Sequence, residues 1–315
     1  MKRKTQPVRI GTRGSPLARW QADWVQAALE KAFPERAFEQ VVIRTSGDVK
    51  RDLPLVRFGG VGIFTRELDH ALIERRIDLA VHSAKDYPTD LSPDLEIGAY
   101  PAREVPNDSL IARKGARIED LPEGAVIGTG SLRRSAQLAW IRGDLRFAEI
   151  RGNIDTRLGK LEAGQYDGII MAEAAMRRLG LDTPRQVLPV SRIVPAAGEG
   201  ALMIVCRRGD KAIRSLLDGI DDETIHRCVT AERAVLLGLG GGCRLPIGVY
   251  ARITGKTMRI RATVLSADGR RKQSALIERP AADPQKAADK TVKTILKNGG
   301  RAIVEAFESE EANER

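Results

Sequence analysis

The stretch GLGGGCRLPIG at residues 238–248 places Cys243 on an unusually bare piece of backbone, with three glycines ahead of it and Arg244 behind it. Glycine lets the main chain and a ligand approach each other closely. A neighbouring arginine favours the thiolate over the thiol. The stretch therefore predicts either an ordinary turn that happens to contain a cysteine or an anchor for a bulky group.

The stretch AVHSAKDYP at residues 80–88 is a second place where the side chains could do chemistry. A buried strand is predicted to end at His82 and Ser83, and the loop after it presents Lys85 and Asp86. Ligands of open α/β sheets bind beyond the carboxyl ends of strands, so this pair could serve as a cation and a base. A solvated ion pair of the ordinary surface kind, which contributes little stability, is the alternative interpretation.

Arginine recurs at the points where a predicted strand meets a predicted helix, namely in TRGS (12–15), GTGSLRR (128–134) and RGNIDTR (151–157). Free N–H groups at the start of a helix attract anions, and the guanidinium fork matches a carboxylate. Each junction alone is typical of a capped helix with a solvated arginine, and Ser131 is the predicted cap of the second. Together they indicate a cleft that holds several carboxylates or phosphates.

The elements that must position these groups alternate between strands and helices. Strands are predicted over 8–12, 38–45 and 77–83, with helices from Ser15–Pro16 and over 64–76. This alternation indicates an α/β layer with a mostly parallel sheet. A proline-containing linker is predicted at 101–108, after which the alternation resumes.

We expect three domains. Residues 1–101 with 200–218 form the first α/β domain, because the strand predicted at 201–207 returns to it, and residues 106–196 form the second. Residues 222–315 form a smaller α+β domain with a largely antiparallel sheet, a final helix over about 282–307 and a frayed charged tail. Cys206 and Cys228 fall on apolar positions and are expected to be inert core thiols.

The composition excludes several classes. No apolar run approaches the ~20 residues of a membrane span, and the basic N-terminus has no apolar segment typical of a secretory signal. The three cysteines are widely spaced, which favours a reducing cytosol over a disulfide framework, and no metal-ligand spacing is present. The net charge of +10 and the pI of about 9.7 suggest an anionic partner. Nucleic acid is one candidate for this partner, although no nucleic-acid-binding motif supports it.

The motifs together resemble one family, hydroxymethylbilane synthase, which is also called porphobilinogen deaminase. The segments that carry the resemblance are TRGSPLARWQ (12–21), GIFTRELD (62–69), AVHSAKDYP (80–88), GTGSLRR (128–134), RGNIDTRLGKL (151–161), AAGEGAL (196–202), TAERAVL (230–236) and GGCRLPIG (241–248). The resemblance implies two α/β domains similar to periplasmic binding proteins around a cleft, and a third domain that carries the cysteine.

The resemblance also implies an activity. The family is a transferase of porphyrin and haem biosynthesis that joins four porphobilinogen units, with loss of ammonia, into the linear tetrapyrrole hydroxymethylbilane. Growth occurs on a dipyrromethane cofactor, which Cys243 would hold through a thioether. The resemblance further implies a monomeric, cytoplasmic enzyme with a small-molecule substrate, no metal, no nucleic acid and no membrane partner.

Site roles follow from the same match, residue by residue. Asp86 corresponds to the catalytic carboxylate. The groups expected to hold the cofactor besides Cys243 are Ser83, Lys85, Thr129, Ser131, Arg133 and Arg134. The groups expected to bind the substrate are Arg13, Ser15, Arg57, Phe64, Arg151, Arg157 and Arg178.

The chain departs from the family at a few positions. Val61 stands where the family usually has a lysine that binds a substrate carboxylate, so weaker substrate binding is expected unless Arg57 compensates. Glu199 stands where glutamine is usual and adds a negative charge. These departures keep open a divergent, non-catalytic anion-binding protein of the same two-lobed architecture.

Overall fold

The computed structural model describes residues 6–44, 65–240 and 245–313 of the chain. Predictions made for Arg57, Val61, Phe64 and Cys243 therefore lie outside the described residues. The chain divides into two compact units, Met1–Glu104 with Gly200–His226, and Val105–Glu199 with Arg227–Arg315.

Strands alternate with helices through both units. The strands are β1 (Val8–Thr12), β2 (Phe38–Val42), β3 (Leu79–Ser83), β4 (Leu95–Ala99), β5 (Asp108–Ala112), β6 (Val126–Gly128), β7 (Arg146–Ala148), β8 (Gly168–Ala172), β9 (Gln186–Val187), β10 (Leu202–Arg207), β11 (Ile247–Thr254), β12 (Thr257–Leu265) and β13 (Lys272–Pro280). The α-helices are α1 (Pro16–Ala32), α2 (Arg66–Ile73), α3 (Leu132–Ile141), α4 (Ile154–Glu162), α5 (Glu173–Arg178), α6 (Lys211–Asp218), α7 (Glu223–Gly238), α8 (Pro284–Ile295) and α9 (Arg301–Asn313).

The first unit contains a mixed sheet with the strand order β2-β1-β3-β10-β4. Strand β1 runs parallel to β2 and β3, whereas β10 runs antiparallel to β3 and β4. The return of β10 to this sheet was predicted for residues 201–207 and is confirmed. Apolar strand residues such as Ile10, Leu79 and Ile204 are fully buried against helices α1 and α6, which is why these short runs form the central strands.

The second unit contains two sheets. The first has the order β7-β6-β8-β5-β9, with β6 parallel to β7 and β8, and β5 antiparallel to β8. The second is the antiparallel meander β11-β12-β13, whose apolar face packs on α8 in a separate core. The structure thus has two α/β layers and a smaller α+β part, which confirms the predicted fold class.

Several predicted boundaries are wrong. Helix α2 ends at Ile73 instead of residue 76, because Arg75 adopts a left-handed backbone with φ 57° that a helix cannot continue. The predicted linker 101–108 ends one residue early, since Asp108 already pairs in β5.

The C-terminal helix also differs from the prediction. The expected single helix over 282–307 is divided into α8 and α9, because Gly299 adopts φ 102° between them. The tail that was expected to fray is helical as far as Asn313.

Candidate active site

Strands β1 and β3 are parallel neighbours, so their carboxyl ends lie at the same edge of the first sheet. Arg13 and Ser15 follow β1 at this edge, and Ser83 closes β3. The Ser15 hydroxyl caps α1 by accepting from the Ala18 amide at 3.3 Å, as predicted. Ser83 accepts from the Gln21 side chain at 2.9 Å, which ties α1 to β3.

The loop after β3 presents the predicted acid–base group. Residues Ala84–Asp86 form one 3₁₀ turn, in which Ala84 is buried, Lys85 is half-buried and Asp86 is exposed. Tyr87 is only 3% exposed and turns back into the protein directly after Asp86. Its ring meets the ring of His82 edge to face at 4.9 Å. The buried tyrosine therefore anchors the turn from which the exposed Asp86 side chain projects.

Two titratable groups contact Tyr87: the buried His82 and the half-buried Asp69. Burial lowers the pKa of His82 to about 3, and the positive charge of Arg13 contributes, so this imidazole is neutral near pH 7. Burial raises the pKa of Asp69 to about 6, against the opposing hydrogen bond from Tyr87. Sequence reasoning did not select Asp69, because it sits among the ordinary charged residues of an amphipathic helix.

The second unit repeats the arrangement at the carboxyl ends of its parallel strands. Thr129, directly after β6, is buried, and its hydroxyl accepts from the Ser131 amide at 3.1 Å. Ser131 occupies the first position before α3, but its hydroxyl makes no capping bond with the described residues. Ser131 is therefore the N-cap residue, as predicted, but it caps through its backbone carbonyl, which accepts from the Ser135 amide at 3.0 Å.

Arg133 and Arg134 hold a buried carboxylate that sequence reasoning missed. Arg133 Nη1 donates to Asp108 Oδ2 at 2.8 Å, and Arg134 Nε donates to Asp108 Oδ1 at 2.8 Å. Asp108 is fully buried. Burial raises the pKa of Asp108, but the two guanidinium groups outweigh burial and hold this pKa well below its usual range.

Antiparallel pairing explains how Asp108 reaches these arginines. Because β5 runs opposite to β8, the first residue of β5 lies beside Ala172 at the end of β8. That end is also the edge from which α3 begins. The available sequence signal was Asp108 itself, a charged residue at the start of an apolar run. It was overlooked because residue 108 was assigned to the predicted linker.

A second acidic residue lies against the same arginines. Glu199 is 1% exposed, and its Oε2 lies 3.8 Å from Arg133 Nη2 and 4.0 Å from Arg134 Nη2. Its loop is held by Glu232, which is fully buried and accepts from the Gly198 amide at 2.7 Å and the Ala251 amide at 2.8 Å. Glu232 was quoted within the motif TAERAVL, but no role was predicted for it.

The other predicted arginines of this unit differ in their surroundings. Arg151 follows β7 and pairs with Glu149, donating through Nε at 2.8 Å. Arg157 in α4 donates to the Gly152 carbonyl at 2.9 Å, and Arg178 at the end of α5 is buried. The structure thus places Thr129, Arg133, Arg134 and Arg151 after the carboxyl ends of β6 and β7, at one edge of this sheet.

Metal sites and membrane spans are absent from the described part of the chain. Among residues 6–44, 65–240 and 245–313, no group of three or more His, Cys, Asp or Glu side chains could hold a metal ion. In the same part of the chain, no helix is both long and apolar enough to cross a membrane.

The fold and site define a class of α/β protein whose cationic and hydrogen-bonding groups collect beyond the carboxyl ends of parallel strands. The comparisons with known proteins make this class specific. Residues 8–215 match the family model "Porphobilinogen deaminase, dipyromethane cofactor binding domain", and residues 226–297 match "Porphobilinogen deaminase, C-terminal domain". The chain belongs to the porphobilinogen deaminase family.

Curated relatives support the same assignment over nearly the full length. The chain is 40% identical to a porphobilinogen deaminase of Geotalea daltonii over 310 residues, which cover 98% of this chain and 97% of the relative. It is 41% identical to that of Alkaliphilus metalliredigens over 304 residues, or 96% of each chain. The prediction of this enzyme family is confirmed, and the alternative of a non-catalytic binding protein is not favoured.

Solved structures give a looser likeness. A Salmonella typhimurium periplasmic binding protein with high arginine specificity matches at 14% identity and a TM-score of 0.39, covering 69% of this chain and 92% of that one. The periplasmic aliphatic sulphonate binding protein of Escherichia coli matches at 16% identity and a TM-score of 0.39, covering 74% and 70%. No conclusion about function follows from likeness at this level.

Proposed function

We propose that this protein joins four porphobilinogen units, with release of ammonia, into hydroxymethylbilane on a dipyrromethane cofactor bound through a thioether to Cys243. The observation that carries the proposal is the placement of Asp86. It is an exposed carboxylate on a tightly held turn, with Lys85, Ser83 and Arg13 at the same edge of the sheet. Full-length similarity to relatives named porphobilinogen deaminase supports the choice of reaction.

The groups of the second unit fit the cofactor. A dipyrromethane with acetate and propionate arms requires cations and hydrogen-bond donors in a place where water is limited. Thr129, Arg133 and Arg134 are such groups and are buried, with Ser131 between them. When bound, the cofactor supplies the pyrrole carbon that forms the new carbon–carbon bond. Ser83 and Lys85 are the other two residues proposed to form hydrogen bonds with the cofactor.

Asp86 acts on the substrate. Loss of ammonia breaks the carbon–nitrogen bond of the aminomethyl arm and leaves positive charge on the pyrrole, which the Asp86 carboxylate stabilises. The carboxylate also accepts and returns protons at the leaving amine and the ring carbon. Arg13, Ser15, Arg57, Phe64, Arg151, Arg157 and Arg178 bind and orient substrate, the arginines by pairing with its carboxylates.

Mass spectrometry of the denatured protein tests the covalent attachment. We expect the peptide that contains Cys243 to carry the mass of two linked pyrroles. A chain whose mass equals that of its amino acids alone would contradict the attachment.

Substitution of Asp86 tests the mechanism. We expect Asp86→Asn to lower the rate of porphobilinogen consumption at least ~100-fold, as for loss of a general acid–base group. Asp90→Asn is the matched control, because Asp90 is exposed on the same loop, and its rate should stay unchanged. Equal rates in both variants would contradict the role of Asp86.

We further propose three domains with the boundaries 1–101 plus 200–218, 106–196 and 222–315, a monomeric state, a cytoplasmic location and no nucleic-acid partner. Buried Cys206 and Cys228 support a reducing compartment. Light scattering of the purified chain tests the monomeric state, and a particle of twice the 34.5 kDa mass would contradict it.

A further inference from the structure

The charges around Arg133 and Arg134 do not balance with Asp108 alone. Both guanidinium groups are buried, and both donate short hydrogen bonds to the one Asp108 carboxylate, at 2.8 Å from Arg133 Nη1 and 2.7 Å from Arg134 Nη2. One carboxylate carries one negative charge, whereas two guanidinium groups carry two positive charges. Asp108 therefore balances only one of these two positive charges, in a place that is largely shielded from water.

Glu199 supplies the missing negative charge from the other side. Its Oε2 lies 3.8 Å from Arg133 Nη2 and 4.0 Å from Arg134 Nη2, beyond hydrogen-bond length but close enough for strong attraction in a buried place. The group formed by Asp108, Arg133, Arg134 and Glu199 is electrically neutral as a whole. We call these residues the four-charge cluster.

Main-chain contacts hold the backbone that carries Glu199. The Glu199 amide donates to the Ala196 carbonyl at 3.0 Å, and the preceding Gly198 amide donates to the buried carboxylate of Glu232 at 2.7 Å. The Glu199 backbone is consequently held in the turn between Ala196 and Gly200, and its side chain is buried at 1% exposure, unlike a flexible surface side chain.

We infer that Glu199 is an internal counter-ion that limits the affinity of Arg133 and Arg134 for a ligand carboxylate. The inference rests on the proposed function, in which this pair holds an acidic cofactor. A ligand carboxylate that approaches the two Nη2 atoms meets a neutral cluster and must compete with Glu199. A single weak anion is then poorly retained, whereas a ligand with several carboxylates can still bind through its other contacts.

The test measures anion binding to a chain that cannot carry the cofactor. In the full-length Cys243→Ser chain, calorimetric titration with sodium succinate reports the affinity for a dicarboxylate. Glu199→Gln keeps the size of the side chain and removes its charge, so we expect succinate to bind at least roughly tenfold more tightly. Adding Arg134→Met to Glu199→Gln should abolish that gain. An unchanged or weaker affinity in Glu199→Gln, or a gain that survives Arg134→Met, would overturn the inference.

Glu173→Gln is the matched control. Glu173 is also 1% exposed in the same unit and pairs with Arg177 and Arg185, so it reproduces the general effect of neutralising a buried glutamate. Its succinate affinity should equal that of the parent chain, and an equal gain in both variants would also overturn the inference. If Glu199→Gln does not fold, Glu199→Asp replaces it, because the shorter arm withdraws the charge from the arginines. A smaller gain is then expected, and no gain contradicts the counter-ion.

The result can be separated from failure of the proposed function. Absence of a two-pyrrole adduct on the unsubstituted chain would contradict the proposed function, regardless of the succinate affinities. An adduct that is present, together with a succinate affinity that Glu199→Gln leaves unchanged, would contradict only the role of Glu199.

Discussion

The hydroxyl of Tyr87 donates to both carboxylate oxygens of Asp69, at 3.1 Å and 3.0 Å. This contact joins helix α2 to the turn that carries Asp86. The Tyr87 ring is held on another side by its edge-to-face contact with His82. The exposed carboxylate of the proposed active site therefore projects from a turn fastened to two different elements.

Tyr87→Phe tests whether this fastening matters for catalysis. The substitution removes the hydroxyl and keeps the ring, so we expect a loss of about 2 kcal/mol in the free energy of unfolding. We also expect a lower kcat with little change in KM, because Asp86 is less well held. Urea unfolding and steady-state kinetics measure the two effects.

Tyr166→Phe is the control for Tyr87→Phe. Tyr166 donates its hydroxyl to the Glu149 carbonyl at 2.8 Å, so its replacement removes a tyrosine hydrogen bond that does not involve the turn carrying Asp86. Its kcat should be unchanged, and an equal fall in both variants would contradict the positioning role of Tyr87.

The raised pKa of Asp69 predicts that its contribution to the free energy of unfolding depends on pH. Its pKa is about 6 in the folded chain and 3.8 as an ordinary aspartate, so the folded state binds the proton more tightly. The contribution is complete below about pH 4 and is lost as the pH rises through 6. The stability advantage of the parent over Asp69→Asn should therefore fall by roughly 2 kcal/mol between pH 4 and 7, after allowance for partial exposure. Urea unfolding across this range measures it, and parallel stability curves would contradict it.

Asp108→Asn tests the four-charge cluster. The amide cannot accept from two guanidinium groups at once, and it leaves positive charge buried without compensation. We expect the free energy of unfolding to fall by about 3–5 kcal/mol in urea. Asp144→Asn is the control, because Asp144 pairs with Arg142 at a partly exposed site, and its loss should be much smaller. Similar losses in the two variants would contradict the account.

Glu232→Gln tests the support of the Glu199 loop. Glu232 accepts from two backbone amides, whereas glutamine can accept with only one of its two terminal groups. We expect a loss of about 1–3 kcal/mol in the free energy of unfolding. Glu305→Gln, on the exposed face of α9, should leave stability nearly unchanged. A Glu232→Gln chain as stable as this control would contradict the supporting role.

The cysteines offer a chemical test of the thioether. Burial raises the pKa of Cys206 to about 11, and Cys228 is buried as well. In the native protein at pH 8, Cys206 and Cys228 should therefore not react with iodoacetamide. After denaturation we expect two alkylated cysteines in each chain, because a thioether blocks Cys243. Three alkylated cysteines would contradict the attachment.

The local elements were largely predictable because they depend on short-range pattern and on neighbouring residues. The Ser15–Pro16 start of α1 and the strand that ends at Ser83 were both expected from the sequence. Predictions were wrong where one backbone angle decides. Arg75 lies in a segment of ordinary helical composition, whereas the turn signal Asn298-Gly299-Gly300 was present in the sequence and was overlooked.

The site was predictable only in part. The arginines and Asp86 stand out by their motifs and by their place after strands. Their acidic partners do not, because Asp108 lies 25 and 26 residues before Arg133 and Arg134 and meets them only through the antiparallel pairing of β5 with β8. No periodicity in the sequence records that pairing.

The sequence by itself determined the family, the order of the strands and helices, and which side chains follow each strand. These properties depend on residue identity and on spacing along the chain. Only the tertiary structure decided that Arg133 and Arg134 share Asp108, that Glu199 balances them and that Tyr87 is bonded to Asp69. The physical reason is that burial, hydrogen bonds and charge balance depend on distances in space, which the sheet pairing establishes between residues far apart in the chain.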